Sequence, residues 1–141
     1  MKAKVMFLCS GNSARSQMAE GWLRHLASDR FEVVSAGTEP STVNPLAIAV
    51  MREHGIDISG HHSKSVGTFL GAAFGYLITV CDNAREKCPI FPGAVKRIHW
   101  PLEDPAAAMG TEEERLAVFR CIRDEIEARV RGWLQEQEPV A

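Results

Sequence analysis

Cys9, Arg15 and Ser16 belong to one short stretch, Cys9-Ser-Gly-Asn-Ser-Ala-Arg15-Ser16, in which five residues separate a thiol from a guanidinium. The apolar run before it, Lys4 to Leu8, reads as a strand. The segment from Ser16 to Ser28 reads as a helix with Met18, Trp22, Leu23 and Leu26 on one face. A Gly- and Asn-containing loop between strand and helix can turn the N–H groups of Ser10, Gly11, Asn12, Ser13, Ala14, Arg15 and Ser16 inward, as a cradle for a tetrahedral oxyanion. The helix adds its positive N-terminal end, and Arg15 can clamp two oxygens in a bidentate fork. The same field favours the thiolate of Cys9, and Ser16 can donate a hydrogen bond to it. The plain alternative is a buried Cys before an ordinary strand-to-helix turn. The Gly-Asn-Ser content in this setting weighs against that alternative.

Three further cysteines, Cys81, Cys88 and Cys121, complete the thiol inventory, and none forms a Cys-x-x-Cys pair. A zinc site would have to combine them with His61, His62 or His99, a minor reading. Cys121 flanks the apolar face of a C-terminal helix and reads as a small structural hydrophobe. Asp104, before Pro105, can supply a proton to a leaving oxygen, because hydroxide and alkoxide leave poorly at neutral pH. It can equally be a turn aspartate that caps a helix.

These residues need a scaffold, and the chain has the length for one domain, residues 1–141, with a loose tail expected from about 135. Apolar residues are 45% and charged residues 24%, which excludes disordered and fibrous classes. The net charge of −2 gives no global attraction for nucleic acid or an anionic membrane. With no signal-peptide core and no membrane-length apolar run, the expectation is a cytoplasmic protein, where disulfide frameworks are rare. Phe31 to Ala36, Gly75 to Val80 and Lys96 to Trp100 read as further strands. Asn44-Pro45 opens a helix with Leu46, Ile48, Ala49 and Met51 apolar and a stop at Gly55, and a short helix is expected near Ser65 to Ala73. Thr111 and Glu114 fit a capping box for a long helix carrying Phe119, Ile122, Ile126, Val130 and Trp133. Strands alternating with helices predict an α/β fold: a single three-layer domain with a four-stranded parallel sheet between helices. Ligands of such sheets sit at the carboxyl ends of the strands, where Cys9 and Cys81 both fall.

The stretch Val5 to Glu20 (VMFLCSGNSARSQMAE) resembles the low-molecular-weight protein tyrosine phosphatase superfamily, and its end, Arg-Ser-Gln-Met-Ala-Glu, is similar to the thioredoxin-coupled arsenate reductase branch. The likeness continues through Ser35-Ala36-Gly37, Asn44-Pro45, Gly55 to Ile58, Val80-Cys81-Asp82, Cys88-Pro89, His99-Trp100, Asp104-Pro105 and Arg123 to Ile126. It implies that Cys9 attacks arsenate with Asp104 as general acid. Cys81 would then displace arsenite to give a Cys9–Cys81 disulfide, and Cys88 would convert it to Cys81–Cys88. External reduced thioredoxin would regenerate the thiols, with no bound cofactor, in arsenic detoxification. A glutaredoxin or mycothiol donor stays open. A regular helix over 81–88 would separate the two α-carbons by ~10 Å, and a disulfide needs less than ~7 Å. The segment, with Asp82, Asn83 and Pro89, would therefore have to unwind on oxidation. The alternative is a low-molecular-weight protein tyrosine phosphatase, but Pro105 is followed by Ala-Ala-Ala in place of the aromatic pair such relatives often carry. Some arsenate reductases of the branch bind potassium through four residues. Three match Asn12, Glu20 and Ser35, and the position of the fourth is taken by Lys64, whose ammonium would either stand in for the ion and leave no metal or be an ordinary solvated surface lysine. The expected state is a monomer.

Overall fold

The computed structural model describes residues 2–69, 71–81 and 96–137. In chain order the elements are β1 (Ala3–Cys9), α1 (Arg15–Ala27), β2 (Phe31–Gly37), α2 (Pro45–Arg52), β3 (Tyr76–Thr79), β4 (Lys96–His99) and α3 (Glu112–Glu136). Single turns of 3-10 helix lie at Val66–Phe69 and Pro105–Ala107. The four strands form one parallel sheet in the order β2-β1-β3-β4, as the alternating pattern predicts. β1 is central, and Val5 to Cys9 are all buried, so both faces of its pleat are covered. That burial on two sides is why β1 reads as an unbroken apolar run instead of an alternating one.

Local signals account for the helix boundaries. Asn44 Oδ1 accepts the Leu46 N–H at 2.8 Å ahead of Pro45. The Thr111–Glu114 box is complete, with Glu114 N–H donating to Thr111 Oγ1 at 3.1 Å and Thr111 N–H donating to Glu114 Oε1 at 3.3 Å. The five apolar residues expected on the core face of α3, from Phe119 to Trp133, are all buried. Phe31, Tyr76 and Trp133 close one end of the core, with Trp133 5.0 Å from each of the other two rings.

Several expectations are corrected. In α2 the buried set is Ala47, Val50 and Met51, while Leu46 and Ile48 are half-buried and Ala49 is exposed. The contact with α3 selects the i, i+3, i+4 stripe that starts at Ala47. The helix expected over Ser65 to Ala73 shrinks to one 3-10 turn, because Ser65 bridges to Gly37 and is tied to the sheet. Cys121 is exposed. It lies one step off the Phe119–Ile122–Ile126 stripe, about 100° round the helix from Ile122, and is not a core residue. α3 runs through Gln135 to Glu136, and residues 138–141 lie outside the described residues. No helix among the described residues is long and apolar enough to cross a membrane.

The α2–α3 contact is locked by charge. Arg120 forks onto Glu53 through Nε and Nη2, the latter at 2.9 Å. Arg123 Nη1 donates to Glu53 Oε1 at 2.6 Å and to the Val50 carbonyl at 2.9 Å. The hydrogen bonds from Arg120, then those from Arg123, lower the Glu53 carboxyl from its ordinary 4.5 to about 2. A depressed carboxylate stabilises the fold fully above its unfolded value and stops doing so as pH falls through the folded value. Glu53→Gln should therefore lower the melting temperature by about 2–4 °C at neutral pH, discounted for exposure, and the gap should close towards about pH 2. Paired thermal melts across that range check it.

Candidate active site

Cys9 is the last residue of β1, paired with Gly37 and 2% exposed. After it the loop carbonyls are fastened outward one by one. Thr38 N–H donates to Cys9 O, Glu39 N–H to Ser10 O, and Asn44 N–H to Ser13 O at 2.8–3.1 Å. Ser63 Oγ donates to Gly11 O at 2.9 Å, and Gln17 Nε2 donates to Asn12 O at 3.2 Å. A peptide N–H points opposite its carbonyl, so this bonding turns the loop N–H groups to the concave side. Asn12 shows the result: its N–H donates to Cys9 Sγ at 3.2 Å. It does so from a left-handed conformation, φ +48°, which Asn tolerates better than most residues.

Ser16, fully buried in the first turn of α1, has its Oγ 2.8 Å from Cys9 Sγ. Asn12 Nδ2 donates to that same Oγ at 2.8 Å, which leaves the hydroxyl proton free to point at the sulfur. The thiol therefore sits among donors at the N-terminus of a helix, an arrangement suited to a thiolate. Gly37 makes room for it. A Cβ at that position would lie 2.5 Å from Ser10 O and 2.9 Å from Asn12 N.

Arg15 donates through Nη1 to Leu102 O at 3.0 Å, and its Nη2 is 3.8 Å from Asp104 Oδ2. Asp104 does both things the sequence allows. Its Oδ1 caps the 3-10 turn by accepting from Ala106 N–H at 3.0 Å, and its other oxygen faces Arg15, with the side chain about half-exposed. Cys81 is buried, with its Sγ 3.5 Å from Ser10 Oγ. The parallel register Leu8–Thr79 brings Cys9 and Cys81 out at adjoining strand ends. β1 leads to β2 on one side and is flanked by β3 on the other, so the crevice lies where the strand order reverses. Cys88, Asp82, Asn83 and Pro89 lie outside the described residues.

Behind the loop, the carboxylate of Glu20 is 4% exposed. It accepts from Ser35 Oγ at 2.5 Å and pairs with Arg24 Nη2 at 2.7 Å. His61 Nδ1 is 3.8 Å away, and Lys64 Nζ is 4.0 Å away. Lys64 also donates through Nζ to His62 O and through its backbone N–H to Asn12 Oδ1, both at 2.9 Å. Burial pushes the Lys64 ammonium and the His61 imidazolium below their ordinary values, against the opposing pull of Glu20. Among the described residues, no three His, Cys, Asp or Glu side chains gather as metal ligands, and His99 Nδ1 instead contacts Thr79 Oγ1 at 2.7 Å. Gln17 joins the site without having been singled out for it. Its signal was a polar residue in the first turn of a helix that is buried nearly all round.

The family model for the low molecular weight phosphotyrosine protein phosphatase matches residues 4–139. The chain belongs to that family. It is 47% identical to the arsenate reductase of Shouchella clausii over 97% of this chain and 99% of that protein. A solved structure of an arsenate reductase in the phosphate-binding state superposes with a TM-score of 0.83 at 38% identity, over 98% of this chain and 100% of the other. A thioredoxin-dependent arsenate reductase of Corynebacterium glutamicum superposes with a TM-score of 0.76 at 29% identity, over 96% of this chain and 61% of the other.

Because Gly37 abuts the loop backbone, Gly37→Ala should displace Ser10 and Asn12 and weaken inorganic phosphate binding roughly tenfold or more. Calorimetric titration of both proteins with phosphate measures this, and equal affinities would mean the loop yields without loss.

Proposed function

We propose that this chain reduces arsenate to arsenite by a three-cysteine relay regenerated by thioredoxin. The observation that carries the reading is the second thiol: Cys81, buried at the strand end beside the anion loop and 3.5 Å from Ser10 Oγ. Hydrolysis of a phosphate ester has no use for it. The Shouchella relative is an arsenate reductase, which supports the same reaction, and the Corynebacterium one is a thioredoxin-dependent arsenate reductase, which supports the donor as well.

In this reading the Cys9 thiolate attacks arsenic while the loop N–H groups and Arg15 hold the remaining oxygens. Asp104 protonates the departing oxygen, which leaves as water, so an S–As bond replaces an As–O bond. The Cys81 thiolate then attacks the Cys9 sulfur, and the S–As electron pair passes to arsenic. Arsenic(V) becomes arsenic(III), arsenite departs, and a Cys9–Cys81 disulfide remains. Cys88 attacks the Cys81 sulfur, freeing Cys9 and forming Cys81–Cys88, which the thioredoxin dithiol reduces by exchange. Two thiols supply the two electrons, with no bound cofactor. The setting is the reducing cytoplasm, the role is detoxification, and the working unit is a monomer. Consistent with the last point, Met109 is the one large apolar side chain exposed among the described residues.

Arsenate-dependent NADPH oxidation with thioredoxin and thioredoxin reductase should proceed for the parent and be lost in Cys9→Ser, Cys81→Ser and Cys88→Ser. Hydrolysis of an aryl phosphate that survives Cys81→Ser and Cys88→Ser, with no arsenate turnover, would make the protein a phosphatase instead.

The residues that match the potassium ligands do not fit a cation. Asn12 Oδ1 already accepts from Gln17 and Lys64. Ser35 donates to Glu20, and Glu20 is surrounded by Arg24, His61 and Lys64. Lys64 takes the place of the ion in this reading. Turnover should be the same in potassium and sodium at matched ionic strength, and a severalfold specific activation by potassium would overturn the assignment.

A further inference from the structure

The geometry points to Gln17 as a positioning residue for Cys9: its side-chain amide, held from behind by His61, clamps Asn12 so that the donors of Asn12 and Ser16 aim at the sulfur. This rests on Cys9 being the nucleophile of the proposed reaction. Gln17 is fully buried on α1, where an unpaired amide would be costly. Its Nε2 lies 3.2 Å from Asn12 O, 3.1 Å from Asn12 Oδ1 and 3.1 Å from His62 O. All three are acceptors only, so the NH2 must face them and the Gln17 carbonyl must face the other way. That carbonyl oxygen meets His61 Nδ1 at 3.0 Å. An oxygen of this kind can only accept, so the His61 proton is on Nδ1.

The direction of every bond follows. His61 N–H donates to Gln17, the Gln17 NH2 donates to the Asn12 oxygens, Asn12 Nδ2 donates to Ser16 Oγ, and the Ser16 hydroxyl and the Asn12 N–H are aimed at Cys9 Sγ. One NH2 group holds both the main-chain and the side-chain oxygen of Asn12. It therefore fixes the left-handed peptide and the rotation of the side-chain amide together. Lys64 N–H bonds the same Oδ1 but does not reach the main-chain oxygen, so it cannot replace the clamp.

The test reads Cys9 directly, without arsenate or thioredoxin. The rate of iodoacetamide labelling at Cys9 is followed by peptide-resolved mass spectrometry on the full-length reduced protein. Gln17→Met keeps the volume and removes the clamp. It should slow labelling about fivefold to tenfold near neutral pH and match the parent at about pH 10, where the thiol is ionised in both proteins. His61→Leu should slow it severalfold, whereas His61→Asn, whose amide N–H stands near the lost Nδ1–H, should restore the parent profile. An unchanged profile in Gln17→Met, equal slowing at both pH values, or His61→Asn behaving like His61→Leu would each overturn the proposal. If Gln17→Met does not fold, the His61 pair decides alone. Failure of the reductase reading looks different: normal labelling of Cys9 in the parent with no arsenate turnover.

Discussion

A peptide chain cannot point successive N–H groups at one spot unless the carbonyls on its outer side find partners. Here the outward carbonyls from Cys9 to Ser13 are each bonded, to the segment after β2, to the start of α2, to Ser63 and to Gln17. Gly37 lets β2 lie close enough for the first of these bonds to form. The loop is thus held from outside by four other parts of the chain. Its shape survives because so many hydrogen bonds would have to be given up to change it.

The second constraint is a buried charge. Taking a carboxylate from water costs on the order of several kcal/mol unless it is paired and hydrogen-bonded. Glu20 meets that condition with a serine hydroxyl, a close arginine, and a lysine and histidine slightly further off. The pairing also joins α1 to the loop that carries His61 and Lys64, and that loop contacts Asn12 and Gly11. Electrostatic satisfaction of one buried group and the geometry of the anion site are therefore the same set of contacts.

The sheet order supplies the third. With β1 in the middle and β3 beside it, the first residue past each strand emerges at one crevice, and a thiol stands near each exit. Ser10 touches Cys81 while its neighbour Cys9 begins the anion loop. Both thiols are thereby set at the same crevice, which is the placement the proposed relay draws on.

Much of this was legible locally. The strand, the Cys-to-Arg loop, the helix start, the Asn44 cap and the Thr111–Glu114 box depend on residues within a few positions of one another, so periodicity and capping chemistry read them correctly. The alternation of elements likewise carried the parallel sheet. Which stripe of α2 is buried, the loss of the Ser65–Ala73 helix and the exposure of Cys121 depended instead on what each segment packs against. The same holds for Gln17, His61 and Gly37. Sequence patterns mark a residue's own face and turn, but they do not encode the distance to a partner about 25 or 45 positions away. Those hydrogen bonds and close approaches come into being only when the sheet and helices have assembled, because burial is what makes an unpaired polar group costly and a missing Cβ useful.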